Sequence, residues 1–155
     1  MSQKERPISQ NKQYAAEILS IVLQLSPEQL TKALALPQNM IDILLTQLAP
    51  YRKRDPPRAA DEEQEFLENL FDSLFTCVQT PEGKSQFLAL EGVELILLFL
   101  KGDGKIARSR GLKVLDFAVG GVAGDIIAEK LIEEGGLKIL FSMFMKKVSA
   151  FDPSF

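Results

Sequence analysis

The chain has 155 residues, 46% of them hydrophobic and 25% charged, with a net charge of −3. That balance belongs to a folded chain rather than a disordered one, and the weak negative charge gives no electrostatic ground for nucleic-acid binding. Histidine is absent and Cys77 is the single cysteine, which excludes His-based triads, an intrachain disulfide and a Cys-rich zinc site.

Residues 1–11 are polar, carry Pro7, and read as a disordered lead-in without the character of a secretory leader. From 12 to 25, Ala15, Ile18, Leu19, Val22 and Leu23 fall on one helical face. Ser26-Pro27-Glu28-Gln29 stops that helix and starts a short one, with Ser26 as N-cap, Pro27 in the first turn and Gln29 completing a capping box. Pro37 ends the short helix, and residues 38–48 form a third, closed by Pro50. Two longer helices with a short one between them make one armadillo unit.

Residues 51–63 break the composition. Arg52-Lys53-Arg54 is basic, Pro56-Pro57 cannot continue a helix, and Asp61-Glu62-Glu63 sits where acids favour the positive end of a new helix. The segment reads as a solvated inter-repeat loop, with a partner or sorting patch as the sharper alternative. In 66–78, Leu67, Leu70, Phe71, Leu74, Phe75 and Val78 form a broad apolar stripe, and Cys77 beside it reads as a small buried filler. Thr80-Pro81-Glu82 repeats the cap-Pro-acid pattern of Ser26-Pro27-Glu28 and starts a short helix that runs to residue 90. Gly92 opens the next helix and Gly102-Asp103-Gly104 breaks it. A further unit begins near Ala107. Leu112, Leu115, Ala118 and Val119 carry its stripe, Asp125 is placed to cap a helix over 126–133, and Gly135-Gly136 precedes a last helix over 137–147. Residues 149–155 form a tail.

The units are copies of one another. The spacing that takes Gly92-Val93-Glu94-Leu95-Ile96-Leu97 to Gly136-Leu137-Lys138-Ile139-Leu140-Phe141 also takes Phe87-Leu88 to Leu131-Ile132 and Leu70-Phe71-Asp72 to Val114-Leu115-Asp116. An earlier copy, Ile41-Asp42-Ile43-Leu44-Leu45, matches Val93-Glu94-Leu95-Ile96-Leu97, with Met40 at the glycine position. Self-similarity at roughly 40–47 residues marks armadillo and HEAT arrays. The expected fold is therefore all-α: a right-handed superhelical solenoid of about three repeats, near 12–50, 61–101 and 107–147, incompletely capped at its ends.

Several fragments imitate chemical motifs. Gly83-Lys84-Ser85 looks like the end of a P-loop, but Val78 stands where its first glycine belongs and a helix precedes it. Gly102-x-Gly104-x-x-Ala107 follows an apolar run that could be a strand and precedes a helix, with Asp125 further on. It supports an alternative reading, a small nucleotide- or dinucleotide-binding enzyme using this loop. Gly120-x-x-x-Gly124 lies in no long apolar helix and reads as a loop. The longest apolar run, 95–100, is far short of the roughly 20 residues that span a bilayer. Glu62-Glu63 and Glu133-Glu134 are adjacent and do not face each other on a helix, so they are poor acid–base pairs. No catalytic, cofactor-binding or metal residue is assigned.

Asn11-Lys12-x-Tyr14-x-x-Glu17-Ile18-Leu19, Leu44-Leu45-x-Gln47-Leu48, Glu68-Asn69-Leu70-Phe71-Asp72-Ser73-Leu74, Leu112-Lys113-Val114-Leu115-Asp116 and Phe144-Met145-Lys146 resemble the beta-catenin-like nuclear armadillo family. The resemblance runs from about Asn11 to Lys147 and covers the middle of the family's longer armadillo domain. It implies a nuclear, non-catalytic scaffold associated with the spliceosome in pre-mRNA splicing, whose members bind basic segments of splicing factors. No cofactor and no direct nucleic-acid contact is expected. The family's capping region, N-terminal basic signal and later repeats have no counterpart here, so the repeat ends are expected to be sticky and to favour self-association. By analogy with armadillo stacks, the third helices line the concave ligand face, which brings Asp42, Glu94 and Lys138 into one row and Thr46, Leu98 and Ser142 into the next. Asp42 and Glu94 would meet Lys or Arg of an extended peptide, and Lys138 interrupts the anionic row.

Overall fold

Local signals set most of the helix boundaries. The computed structural model describes residues 8–151, with side chains through residue 146. Every regular element among the described residues is helical, in three triplets. The first comprises α1 (Gln10–Leu25), α2 (Pro27–Leu34) and α3 (Met40–Leu48), and a 3-10 turn, Ala49–Tyr51, closes it. The second comprises α4 (Asp61–Cys77), α5 (Pro81–Ala89) and α6 (Gly92–Lys101). The third comprises α7 (Lys105–Val119), α8 (Gly124–Glu133) and α9 (Gly136–Phe151). This is the all-α armadillo-type architecture that the repeats imply.

Helix α1 begins at Gln10 rather than Lys12 because Ser9 caps it, its hydroxyl accepting from the Lys12 amide at 3.4 Å. The rest of the polar lead-in, residues 1–7, lies outside the described residues. At the other end, α9 continues through Phe151, so the segment expected as a tail from residue 149 starts as helix. Ser26 closes α1 and opens α2 at once. Its hydroxyl accepts from the Gln29 amide at 3.3 Å, while its own N–H donates to the Val22 carbonyl at 3.1 Å. The reciprocal half of the expected capping box has no role, since the N–H that Gln29 would satisfy is already used. Thr80 caps α5 in the same way, accepting from the Gly83 amide at 3.0 Å. Asp125 does not cap α8; Ala123 holds that position in a left-handed conformation, and Asp125 lies in the first turn, where it still favours the helix dipole.

The first helices of the triplets, α1, α4 and α7, lie against one another in succession, and the third helices α6 and α9 also touch. Helix α4 is in the middle and buries Phe66, Leu67, Leu70, Phe71 and Leu74. Phe71 meets Phe99 of α6 edge-on at 5.4 Å, and Phe75 meets Phe117 of α7 at 4.5 Å, both within the favoured range for aromatic pairs. The repeat glycines have one shared cause. A Cβ at Gly92 would run into the buried Phe87 ring, and one at Gly136 into Leu131, the repeat equivalent of Phe87. In the first unit the connection from α2 to α3, residues 35–39, is longer, so Met40 is free to carry a side chain there.

Two stripes differ from expectation. On α1 the inward residues are Ala16, Ser20 and Leu23, with Leu19 half-buried, whereas Ile18 is 61% exposed and Val22 is also exposed. Helix α1 has two apolar faces and only one meets α4. Ser20 can be buried because its hydroxyl donates to the Glu17 carbonyl and reaches Asn69 Oδ1 at 3.3 Å. On α7 the buried set is Ala107, Gly111, Val114, Leu115 and Ala118, and Leu112 is exposed. The outer faces of the two terminal helices are apolar, with Tyr14, Ile18 and Leu25 exposed on α1 and Leu137, Phe141 and Phe144 on α9.

Helix α7 is held at both ends by groups from earlier in the chain. At its N-terminus the Asp55 carboxylate accepts from the Ile106 amide at 2.7 Å and the Ala107 amide at 3.1 Å. At its C-terminus Lys84, buried on α5, donates to the carbonyls of Phe117, Ala118 and Gly120 at 2.6, 3.3 and 2.7 Å. An anion at the N-terminus and a cation at the C-terminus both oppose the unsatisfied ends of the helix. Burial lowers the Lys84 ammonium below the ordinary lysine range, and the carbonyl cage offsets that cost. Replacing Lys84 by Met leaves those carbonyls without their shared donor. Lys84→Met should lower the unfolding free energy by about 1–3 kcal/mol in urea titrations, without changing the far-UV helix signal of the folded state.

Candidate functional site

The expected ligand row is set by the third helices. Asp42 and Thr46 lie on α3, Glu94 and Leu98 on α6, Lys138 and Ser142 on α9. Each helix buries a stripe on one side: Ile41, Leu44, Leu45 and Leu48 on α3, and Val93, Ile96, Leu97 and Leu100 on α6. Asp42, Thr46, Leu98, Lys138 and Ser142 are exposed and Glu94 is half-buried.

The electrostatics of the row differ from a ladder of free acids. Glu94 Oε1 is paired with Lys130 Nζ of α8 at 3.2 Å, and the same ammonium reaches Glu134 at 3.0 Å. Hydrogen bonds to Glu134 and Glu94 hold Lys130 above the ordinary lysine range. Glu94 Oε2 is buried without a hydrogen-bond partner. Glu94 is thus a largely compensated charge, while Asp42 has no ion pair among the described residues. Lys138 and Ser142 line a cavity with Leu100, Arg108 and Met143.

The nucleotide-site alternative does not have its geometry. The run that would have been a strand is helix α6, Gly92–Lys101. The N-terminus of α7, where a pyrophosphate would sit, is occupied by the Asp55 carboxylate. A Cβ at Gly104 would strike that carboxylate, and one at Gly102 would come within 2.6 Å of the Arg52 carbonyl oxygen. These glycines admit the 52–55 loop, not a phosphate. The Asp103 amide donates to the Lys53 carbonyl at 3.1 Å, so residues 51–60 are docked on the next unit, while the side chains of Arg52, Lys53 and Arg54 face solvent. Lys84 of the P-loop-like fragment is the α7 cap. Cys77 is fully buried and burial pushes its thiol up to about 12, far from a reactive thiolate. Among the described residues no group of three or more His, Cys, Asp or Glu could hold a metal, and no helix is long and apolar enough to cross a membrane.

Comparison with known proteins settles the family. The family model described as "Catenin-beta-like, Arm-motif containing nuclear" matches residues 1–153. The chain belongs to that family. Beta-catenin-like protein 1 homolog of Schizosaccharomyces pombe is 45% identical over 148 residues, covering 96% of this chain and 25% of the relative. Beta-catenin-like protein 1 of Homo sapiens is 41% identical over 140 residues, covering 90% and 24%, and that of Mus musculus is 39% identical over the same length. The chain spans about a quarter of the length of the curated relatives it matches. Membership brings an Arm-motif, nuclear family.

Sequence reasoning had no route to Asp55, Lys84, Arg108 or Arg110 as structural or surface determinants. Arg110 pairs with Asp72 at 2.6 Å across the α4–α7 contact, and such a partner becomes visible only when the units are stacked. The buried thiol gives a direct check. Because the Cys77 pKa is raised on folding, its contribution is fully present below the ordinary thiol value and is lost as pH rises toward about 12. Native protein at pH 8 should resist thiol-specific labelling, and labelling should follow global unfolding in urea.

Proposed function

We propose that the chain is a scaffold of nuclear protein assemblies that serves pre-mRNA splicing by holding basic segments of splicing factors along its third helices. The observation that carries this reading is the outward row itself. It presents Asp42, Thr46 and Leu98 to solvent from helices whose other sides are locked in the core. A carboxylate beside small polar and apolar side chains suits an extended peptide bearing Lys or Arg. Membership in a family described as Arm-motif containing and nuclear supports a nuclear setting for this role. The pairing of Glu94 with Lys130 makes Asp42 the principal anion of the row, so affinity resting on this stretch is modest.

Binding of basic splicing-factor peptides, measured by pull-down and titration, tests the row. Asp42→Lys should weaken binding severalfold and Leu98→Asp should weaken it through lost apolar contact. Glu94→Lys should do less than Asp42→Lys, because Glu94 already has a cation. Binding unchanged by Asp42→Lys and Leu98→Asp would reject these residues as the peptide face.

A further inference from the structure

The face around the C-terminal end of α6 carries the opposite charge. A groove of about 510 Å³ runs between that end and α9, floored by Leu100, Ile139 and Met143 and edged by Lys101, Arg108 and Lys138. Arg108, half-buried on α7, has its Nε closed off from solvent without a hydrogen-bond partner. Neither Arg108 nor Lys101 nor Lys138 has an ion pair among the described residues. A partly desolvated guanidinium without a counter-charge is costly, and native proteins ordinarily pair it. Of the two acids on the rim, Glu134 is bonded to Lys130 at 3.0 Å, which leaves Asp103 alone against the cations. Among the described residues, cations thus outnumber acids along the groove.

We propose that this groove binds an acidic peptide segment in which carboxylates flank an apolar side chain. The carboxylates meet Arg108 and Lys138, with Lys101 at the edge, and the apolar residue rests on the Leu100–Met143 floor. The fork of Arg108 suits a planar carboxylate, and burial of the apolar group supplies contact that charge alone does not. A free phosphate would leave most of the groove and its apolar floor unused. Nucleic acid is disfavoured because no aromatic ring among the described residues lines the groove to stack a base. This site takes in Lys138 and Ser142 from the α9 end of the third-helix row but neither Asp42 nor Glu94. The chain would thus join a basic segment at one end of the stack to an acidic one at the other.

The test is fluorescence anisotropy on the full 155-residue chain, with a fluorescein-labelled peptide of alternating Glu and Leu as the probe. Saturable binding is expected at low salt, weakened by added salt and reduced about tenfold by Lys138→Glu or Arg108→Gln, with Asp42→Lys leaving it intact. Lys138 is exposed, so Lys138→Glu keeps the fold and carries the test if Arg108→Gln does not fold. Absence of saturable binding, or binding that neither substitution alters, would overturn the proposal. So would a labelled oligouridylate that binds more tightly than the peptide and is lost in the same variants.

Discussion

Helix α7 is suspended between a carboxylate and an ammonium, and the joining of the second and third units rests on that arrangement. Asp55 comes from the loop that leaves the first unit and Lys84 from the short helix of the second. Each satisfies backbone groups that a helix cannot satisfy for itself. Both act over long sequence separations, so they tie α7 to the loop after the first unit and to α5 as well as stabilising its ends. Around this frame the Phe75–Phe117 pair and the Arg110–Asp72 ion pair join α4 to α7 across the units, while Phe71–Phe99 packs α4 on α6 within the second. The same carboxylate sits where a dinucleotide-like run of glycines would offer amides to a phosphate: the protein supplies its own anion there.

What was legible in the chain was local or periodic. Ser26 and Thr80 announced their caps, Pro27 and Pro81 the short helices, and the α4 stripe its buried face, because each depends on residues within a turn or two. The repeat spacing paired Gly92 with Gly136, although the reason for those glycines needed the Phe87 and Leu131 side chains in place. What failed was the choice between two apolar faces. On α1 the sequence offers Ile18 and Val22 as readily as Ala16 and Leu23, and only the position of α4 decides. Charge was less legible still. Glu94 looked like a free anion until α8 brought Lys130 to it, and Lys138 looked like an interruption until Arg108 and Lys101 appeared beside it.

The functional picture follows from where the chain spends its polar groups. Lys84, Asp55 and Cys77 are consumed inside the fold, which leaves no activated nucleophile or cradle among the groups that sequence motifs suggested. Among the described residues, the outward third-helix positions, the cationic groove and the Arg52–Arg54 side chains face solvent. The first two differ in sign, and both sit on rigid helices rather than loops, which suits recognition of extended segments of other proteins.

Residue-resolved amide hydrogen exchange tests the central claim most directly. If Asp55 and Lys84 anchor α7 to the preceding units, the Ile106 and Ala107 amides should exchange as slowly as amides in the middle of α7, and both should speed up sharply in Asp55→Ala while α1 and α2 do not change. Fast exchange of Ile106 and Ala107 in the unaltered chain, or no response to the loss of the carboxylate, would contradict the account.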